Sequence, residues 1–252
     1  MSTPAKSLDM VAAKVDEARL WRRHMEMAKI GALSKGGVCR EAFTAEDIRA
    51  RVLLAEWGSA FGLALHMDDI GNMFLRRSGS DAGAAPVMTG SHLDTQPTGG
   101  KFDGAFGVLA ALEAVQAIAE AGIATRHPID VANWTNEEGG RFVPGVMGSQ
   151  VYRFPEQLPR MLAVKDAAGI SLAEGLADAK AALPKWQPRA LKAPVAAFLE
   201  AHIEQGSILE DAGKVIGIVS SIQGSRKFFV DVRGEEAHAG TTPRRRRKDA
   251  LL

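Results

Sequence analysis

The chain has 252 residues, and its 31 basic and 30 acidic residues leave a net charge of +1, which offers no overall field to nucleic acid or an anionic membrane. Hydrophobic residues make up 46% and charged residues 24%, the proportions of a folded globular protein rather than a disordered one. The single cysteine, Cys39, excludes an intramolecular disulfide, and no window approaches the ~18 apolar residues that span a bilayer, so we predict a cytoplasmic protein without nucleic-acid or membrane partners.

The first part of the chain predicts helices followed by a pair of strands. Apolar residues recur at helical spacing over residues 11–30 and predict one helix. Thr44, with Asp47 three residues later, has the pattern of an N-cap and predicts a second helix that runs to about Phe61. Residues 63–77 predict two short strands joined by a turn.

Three later segments predict buried strands, and each ends in side chains that can bind a metal. These segments are residues 86–94, 129–134 and 194–202. A helix from about Gly104 to Ala121 separates the first two, and this alternation predicts an α/β sheet covered by helices. Because ligands of open α/β sheets bind beyond the carboxyl ends of the strands, the three strand ends predict a functional site.

The pattern changes near Gly213. Residues 215–222 and 227–232 predict two β segments, so we predict a first domain over residues 1–213 and the beginning of a smaller domain over residues 214–252. The basic run at residues 244–248 has two interpretations, a nucleic-acid contact or an exposed helix face, and we favour the helix face.

The strand ends and the loops after them carry six candidate metal ligands: His92, Asp94, Asp103, Glu137, Glu138 and His202. His92 and Asp94 are two residues apart and point to the same side of a strand, so one can bind a metal while the other orients it. Asp103 directly precedes Gly104 and a helix, where its carboxylate could bridge two ions. Histidine and carboxylate ligands suit zinc, manganese or cobalt.

Glu137 and Glu138 are adjacent and therefore point in different directions, so that one can bind metal while the other acts as general base. Two metal ions about 3.5–4 Å apart would generate a nucleophile at neutral pH and polarise a carbonyl group.

Each candidate also has a structural interpretation. A single buried histidine is usually a hydrogen-bonded core residue, an adjacent pair of glutamates is usually a solvated face, and Asp103 could simply cap the following helix. Their joint occurrence at strand ends beside glycines favours the metal site. His24, His66 and His127 lack such surroundings and receive no role, and Cys39 is interpreted as structural.

Four motifs resemble the M20-type metallopeptidase superfamily. They are GSHLDTQPTGGKFDG at 90–104, NWTNEEG at 133–139, HIEQG at 202–206 and AHAGTTP at 237–243. Within the superfamily they are most similar to N-carbamoyl-L-amino-acid hydrolases and β-ureidopropionases, with allantoate amidohydrolases as close relatives. The resemblance implies a mixed sheet covered by helices, followed by a smaller α+β lid that forms a homodimer.

The resemblance also implies a ligand set for two divalent ions, zinc, manganese or cobalt. His92, Asp103 and His202 would hold one ion, and Asp103 would bridge to a second ion that Glu138 also binds. A further histidine ligand of the second ion lies, in the family, beyond the segment that resembles this chain.

The remaining roles implied by the resemblance concern catalysis and the substrate. Glu137 would be the general base, and Asp94 would orient His92. Gln205 would line the substrate pocket, and His238 of the lid would stabilise the oxyanion, often from the partner subunit.

The implied reaction is hydrolysis of an N-carbamoyl amino acid, a small-molecule substrate, to the amino acid, carbon dioxide and ammonia. Allantoate-type amidohydrolysis and peptide or acyl-amino-acid cleavage are the alternatives on the same metals. Because the family's last ligand and a lid arginine are missing, we expect a C-terminally truncated chain that holds the second ion weakly and turns over poorly. A metal-binding fragment without activity is the remaining alternative.

Overall fold

The computed structural model describes residues 4–224, 226, 228 and 230–250. Contacts divide the chain into two compact units, Met1–Glu204 and Gln205–Leu252. The division lies earlier in the chain than the predicted boundary at residue 213, and the roles assigned to the two domains remain predictions.

The first unit contains a six-stranded sheet in the order β5-β1-β2-β4-β3-β6. The strands are β1 (Ala64–Met67), β2 (Met73–Arg77), β3 (Val87–His92), β4 (Ile129–Trp134), β5 (Gln187–Pro188) and β6 (Ala197–Leu199). The β1–β2 and β2–β4 pairs are antiparallel, and the other pairs are parallel. The mixed sheet is therefore confirmed, although β6 is shorter than the predicted strand at 194–202.

The helices of the first unit complete the α/β architecture. They are α1 (Pro4–Ala12), α2 (Glu17–Met27), α3 (Ala45–Ser59), α4 (Ala105–Glu120), α5 (Met147–Arg153), α6 (Leu158–Leu162) and α7 (Leu172–Ala182). Helices α3 and α4 are in contact with the sheet; α4 contacts both β3 and β4, and every residue of β4 is buried. The strand is thus covered on both faces, although its sequence includes the buried polar residues Asp130 and Asn133. Among the described residues, no helix combines the length and apolar character required to cross a membrane.

The two N-terminal helix predictions have different outcomes. The Thr44 side chain accepts a hydrogen bond from the Asp47 backbone N–H and caps α3, as predicted. The single helix predicted over residues 11–30 is wrong, because the chain leaves the helix after Ala12 and begins α2 at Glu17. Asp16 caps this second start by accepting a hydrogen bond from the Arg19 N–H, and its own N–H donates to Glu113 of α4.

His24 of α2 lies in an aromatic cluster behind the loop that leads into α4. Its side chain is edge-on to Phe102 and stacked on Phe106, with ring centroids 5.5 and 6.0 Å away. Neither ring nitrogen has a hydrogen-bond partner among the described residues, and the residue is buried. Burial lowers the pKa of His24 below its ordinary value.

Replacing His24 by leucine is expected to stabilise the chain most at acidic pH. The unfolded chain binds a proton at this position below about pH 6.5, whereas the folded chain resists it, so the wild type loses stability as the pH falls through that value. His24→Leu removes both this loss of stability and an unsatisfied buried polar group. The free energy of unfolding should therefore rise by about 1 kcal/mol at pH 5. The free energy of unfolding of both chains is measured with urea between pH 5 and 8. A difference between them that stays constant over this range would contradict the lowered pKa of His24.

Among its described residues, the second unit contains the short helix α8 (Ile208–Asp211) and a 3-10 turn at Arg244–Arg246. The β segment predicted at 215–222 is wrong, since these residues form no strand in the part of the chain that the structure describes. A strand requires a hydrogen-bonded neighbour, and the apolar side chains of this segment, such as Ile218 at 93% exposure, are not packed. The segment predicted at 227–232 includes residues 227 and 229, which lie outside the described residues. The basic run forms a 3-10 turn rather than a helix face.

Candidate metal centre

Three neighbouring parallel strands bring the candidate side chains to one edge of the sheet. His92 is the last residue of β3, which lies between β4 and β6. Glu137 and Glu138 follow the end of β4, and His202 follows the end of β6. Because all three strands run in the same direction, their carboxyl ends meet, and the loops beyond them form the site.

Three of the predicted ligands form a group that could hold a metal ion. One ligand atom each from His92, Asp103 and His202 lies within 4.8 Å of the other two. Within this group His202 Nε2 lies 3.3 Å from Asp103 Oδ1. Two imidazole nitrogens and one carboxylate oxygen suit zinc and similar divalent ions.

The His92 imidazole is oriented for binding through Nε2. Its Nδ1 lies 2.9 Å from the backbone carbonyl oxygen of Asp94. Since a carbonyl oxygen only accepts, Nδ1 must carry the proton, and in the neutral ring Nε2 then presents a lone pair. This buried histidine therefore has the hydrogen bond of a core residue and still offers a ligand atom.

Gly104 leaves the space in which the His92 ring lies. A Cβ at this position would be 2.4 Å from His92 Nε2, and the backbone φ is +62°. Gly104 is also the N-cap of α4, where no side chain caps the helix, so the interpretation of Asp103 as the helix cap is wrong. The glycine lets the chain turn closely around the imidazole and places Asp103 beside it.

Asp94 contacts His92 through its backbone rather than through its carboxylate. The nearest carboxylate oxygen is 3.9 Å from His92 Nδ1, while the Asp94 carbonyl makes the orienting contact. The carboxylate instead accepts hydrogen bonds from the backbone N–H groups of Glu137, at 3.2 Å, and Glu138, at 3.1 Å. Asp94 therefore links two strand ends: its backbone orients His92 and its side chain positions the two glutamates.

Glu137 lies beside the candidate ligands with its backbone held at both ends. Its N–H donates to Asp94, and its carbonyl accepts from the Val146 N–H at 2.7 Å. The carboxylate Oε2 is 3.4 Å from His92 Nε2. Burial raises the pKa of Glu137 above its ordinary value, although the neighbouring His92 opposes this. A carboxylate with a raised pKa is better suited to take up a proton near neutral pH.

The charges around His92 affect its protonation in the metal-free chain. Burial lowers the pKa of His92, but the charges of Asp94 and Glu137 outweigh burial and raise it above its ordinary value. Burial also raises the pKa of the Asp94 carboxyl. A cation is therefore favoured at this position, as a proton or as a metal ion.

Glu138 does not belong to the group of three ligand atoms, and its carboxylate oxygen Oε2 accepts a hydrogen bond from the Gln96 side-chain amide at 3.0 Å. The same amide donates to the Glu138 carbonyl. Sequence reasoning missed Gln96, although it lies inside the 90–104 motif, where a polar side chain in a glycine-rich loop was the available signal.

The other two predicted site residues belong to the second unit. Gln205 has a backbone φ of +56°. The Nδ1 atom of His238 accepts hydrogen bonds from the backbone N–H groups of Gly240, at 3.0 Å, and Thr241, at 3.1 Å. In the neutral ring this places the proton on Nε2, which makes His238 a hydrogen-bond donor.

Two further contacts around the site were not predicted. The Ser91 hydroxyl donates to the Glu200 carboxylate and connects β3 to the residues that precede His202. Arg40 is fully buried and contacts the segment that follows His92. No local pattern signals Arg40, because its side-chain partners are backbone carbonyls, which any residue type can supply.

Comparison with known proteins places these residues in a wider context. The family model described as Peptidase family M20/M25/M40 matches residues 88–248. An N-carbamoyl-L-amino-acid amidohydrolase of Rhizobium meliloti is 44% identical over 95% of this chain and 57% of its own length. An allantoate amidohydrolase of Bacillus subtilis is 39% identical over 89% of this chain and 54% of its own length.

The solved structures agree with these matches. A hydantoinase/carbamoylase family amidase from Burkholderia ambifaria matches with a TM-score of 0.77 and 45% identity, over 94% of this chain and 58% of that protein. The chain therefore spans a little more than half the length of the relatives that it matches.

Proposed function

The chain belongs to peptidase family M20/M25/M40, and from that premise we propose that it provides the metal-binding site of an amidohydrolase that cleaves the ureido C–N bond of N-carbamoyl amino acids. The observation that carries the proposal is the grouping of His92, Asp103 and His202 with the Glu137 carboxylate 3.4 Å from His92 Nε2. The names of the relatives, N-carbamoyl-L-amino-acid amidohydrolases at 38–44% identity, support the substrate class.

The ligand chemistry fits a divalent ion, which His92, Asp103 and His202 would hold. Glu138, together with Asp103, is proposed to hold a second ion. When bound, such ions lower the pKa of water and polarise the substrate carbonyl. Glu137 takes the proton from the attacking water and returns it to the leaving nitrogen. Its raised pKa and its fixed backbone support this role.

His238 and Gln205 are proposed to act on the substrate. The two backbone N–H groups that donate to His238 Nδ1 fix a donor at Nε2, which is the property needed to stabilise an oxyanion. Gln205 provides an amide that can both donate to and accept from a carbamoyl or carboxylate group.

Allantoate-type hydrolysis is the second candidate. The 39% identity to an allantoate amidohydrolase favours it, because allantoate carries the same ureido group as an N-carbamoyl amino acid. Peptide or acyl-amino-acid cleavage is the third possibility within the family.

Glu137→Gln is expected to lower turnover by about 10²–10⁴-fold while metal content is unchanged. The amide keeps the size of the side chain but cannot take up the proton. The measurement is release of ammonia and of free amino acid by the metal-loaded chain from N-carbamoyl amino acids, allantoate and N-acyl amino acids.

Glu156→Gln on the surface, near the start of α6, is the matched control and should behave as the wild type. Equal release by Glu137→Gln and wild type would exclude Glu137 as the base. Ammonia from allantoate alone would favour the second candidate. If the metal-loaded chain converts none of these substrates, it is a metal-binding module without activity.

Several finer features remain proposals. The metal is zinc, manganese or cobalt, two ions are bound, and the assembly is a homodimer in the cytoplasm. The histidine and carboxylate ligands support the choice of metals, and the family resemblance supports the dimer.

A further inference from the structure

Arg40 is a buried arginine that binds carbonyl groups. Its side chain is fully buried, and it forms no ion pair with any described residue. The Nη1 group donates to the carbonyl oxygens of Met27, at 3.3 Å, and Ile30, at 3.2 Å, at the C-terminal end of α2. The negative end of a helix compensates a cation, which allows the guanidinium to remain in the interior.

The rest of Arg40 holds the segment that follows β3. Its Nε donates to the Leu93 carbonyl at 3.2 Å. Its backbone N–H donates to the Thr95 hydroxyl at 2.8 Å, and its carbonyl accepts from the Thr95 N–H at 2.9 Å. A single residue therefore binds the chain immediately before and immediately after Asp94.

The peptide carbonyl between these two held positions is the one that orients the candidate ligand. The Asp94 carbonyl accepts the Nδ1–H of His92 at 2.9 Å. If Leu93 and Thr95 were released, this carbonyl could rotate, and the imidazole would lose the bond that keeps Nε2 available for a metal. Partners of this kind commonly change metal affinity by about 10–100-fold when they are removed.

We infer that Arg40 is a positioning residue of the metal centre, which fixes the tautomer and orientation of His92 through the Asp94 carbonyl. The inference rests on the proposed function only in its consequence for metal affinity. The orientation of His92 is a property of the metal-free chain and can be measured there.

The test compares Arg40→Lys with Arg189→Lys. Lysine keeps the positive charge and the aliphatic part of the side chain. It lacks the planar guanidinium, whose Nε and Nη1 donate to carbonyl groups on two different segments. Arg189 is also a buried arginine, but its partners are Asp130 and Tyr152. Nitrogen NMR of histidine-labelled, metal-free chain at pH 8.5 reports the tautomer of each ring, and competition with a chelator reports zinc affinity.

Wild-type chain and Arg189→Lys are expected to show His92 with the proton on Nδ1. In Arg40→Lys the ring is expected to shift toward the Nε2–H form, and zinc affinity to fall by about 10–100-fold. Thr95→Val, with Thr95→Ser as its control, removes the hydroxyl that accepts the Arg40 N–H and leaves the Thr95 N–H bonded to the Arg40 carbonyl. It serves as the test if Arg40→Lys does not fold.

The inference would be overturned if His92 kept the same tautomer in a folded Arg40→Lys or Thr95→Val chain. It would also be overturned if the tautomer changed as much in Arg189→Lys as in Arg40→Lys. If the tautomer shifts as expected but the wild type binds no zinc, the positioning role is supported and the proposed metal-dependent function fails.

Discussion

His92→Ala is expected to abolish retention of the divalent ion by the purified chain. The substitution removes the Nε2 atom that shares a site with Asp103 and His202, and two ligands bind a transition metal much more weakly than three. The chain is loaded with zinc, manganese or cobalt and desalted, and metal per chain is measured by plasma mass spectrometry. The wild type should retain about one ion or more, and the variant about none.

His66→Ala is the matched control for this experiment. His66 is a half-buried histidine on β1, outside the group of candidate ligands, so the substitution should leave metal content unchanged. Urea unfolding of both variants separates loss of the site from loss of the fold. Retention of the ion by a folded His92→Ala chain would show that the metal binds elsewhere.

Gly104→Ala is expected to have a comparable effect without removing any ligand. The new Cβ would be 2.4 Å from His92 Nε2, closer than any ordinary contact, and the residue would have to keep a φ of +62°. With ψ at −49° this conformation costs a residue that carries a Cβ about 1–3 kcal/mol, and relief of the contact must displace the imidazole or Asp103. Metal content and unfolding free energy should therefore both decrease.

Gly122→Ala is the control that separates backbone strain from the steric clash with His92. Gly122 lies just beyond the other end of α4. Its φ is +66°, nearly that of Gly104, but a Cβ there would meet no atom within 4 Å. This variant should lose about 1–2 kcal/mol of stability and keep its metal. Equal metal loss in both variants would attribute the effect to backbone strain rather than to contact with His92.

Most of the secondary structure around the site follows from short-range patterns. The segment at 129–134 predicts the buried strand β4, and the Thr44–Asp47 spacing predicts the start of α3. The helix predicted over 11–30 failed at Asp16, whose side chain caps α2 and whose N–H donates to Glu113, far along the chain. Helical spacing continues through such a break and does not reveal it.

The failed strand at 215–222 has a different cause. The segment is rich in valine and isoleucine, which favour strands, but a strand needs a hydrogen-bonded neighbour. No described residue of the second unit supplies that neighbour. The sequence pattern of a segment indicates which side chains a strand would bury, but it does not show whether a neighbouring strand is present.

The sequence by itself determined which residue types stand at the strand ends, and hence the candidates His92, Asp103, Glu137 and His202, because ligand chemistry belongs to the side chain. Only the tertiary structure decided which backbone and side-chain atoms hold these candidates in place. It assigns the orientation of His92 to a backbone carbonyl, the Asp94 carboxylate to the two glutamate N–H groups, and the support of that segment to Arg40. Hydrogen bonds to the backbone depend on distance and direction and require no particular residue type in the partner, so the sequence contains little signal for them.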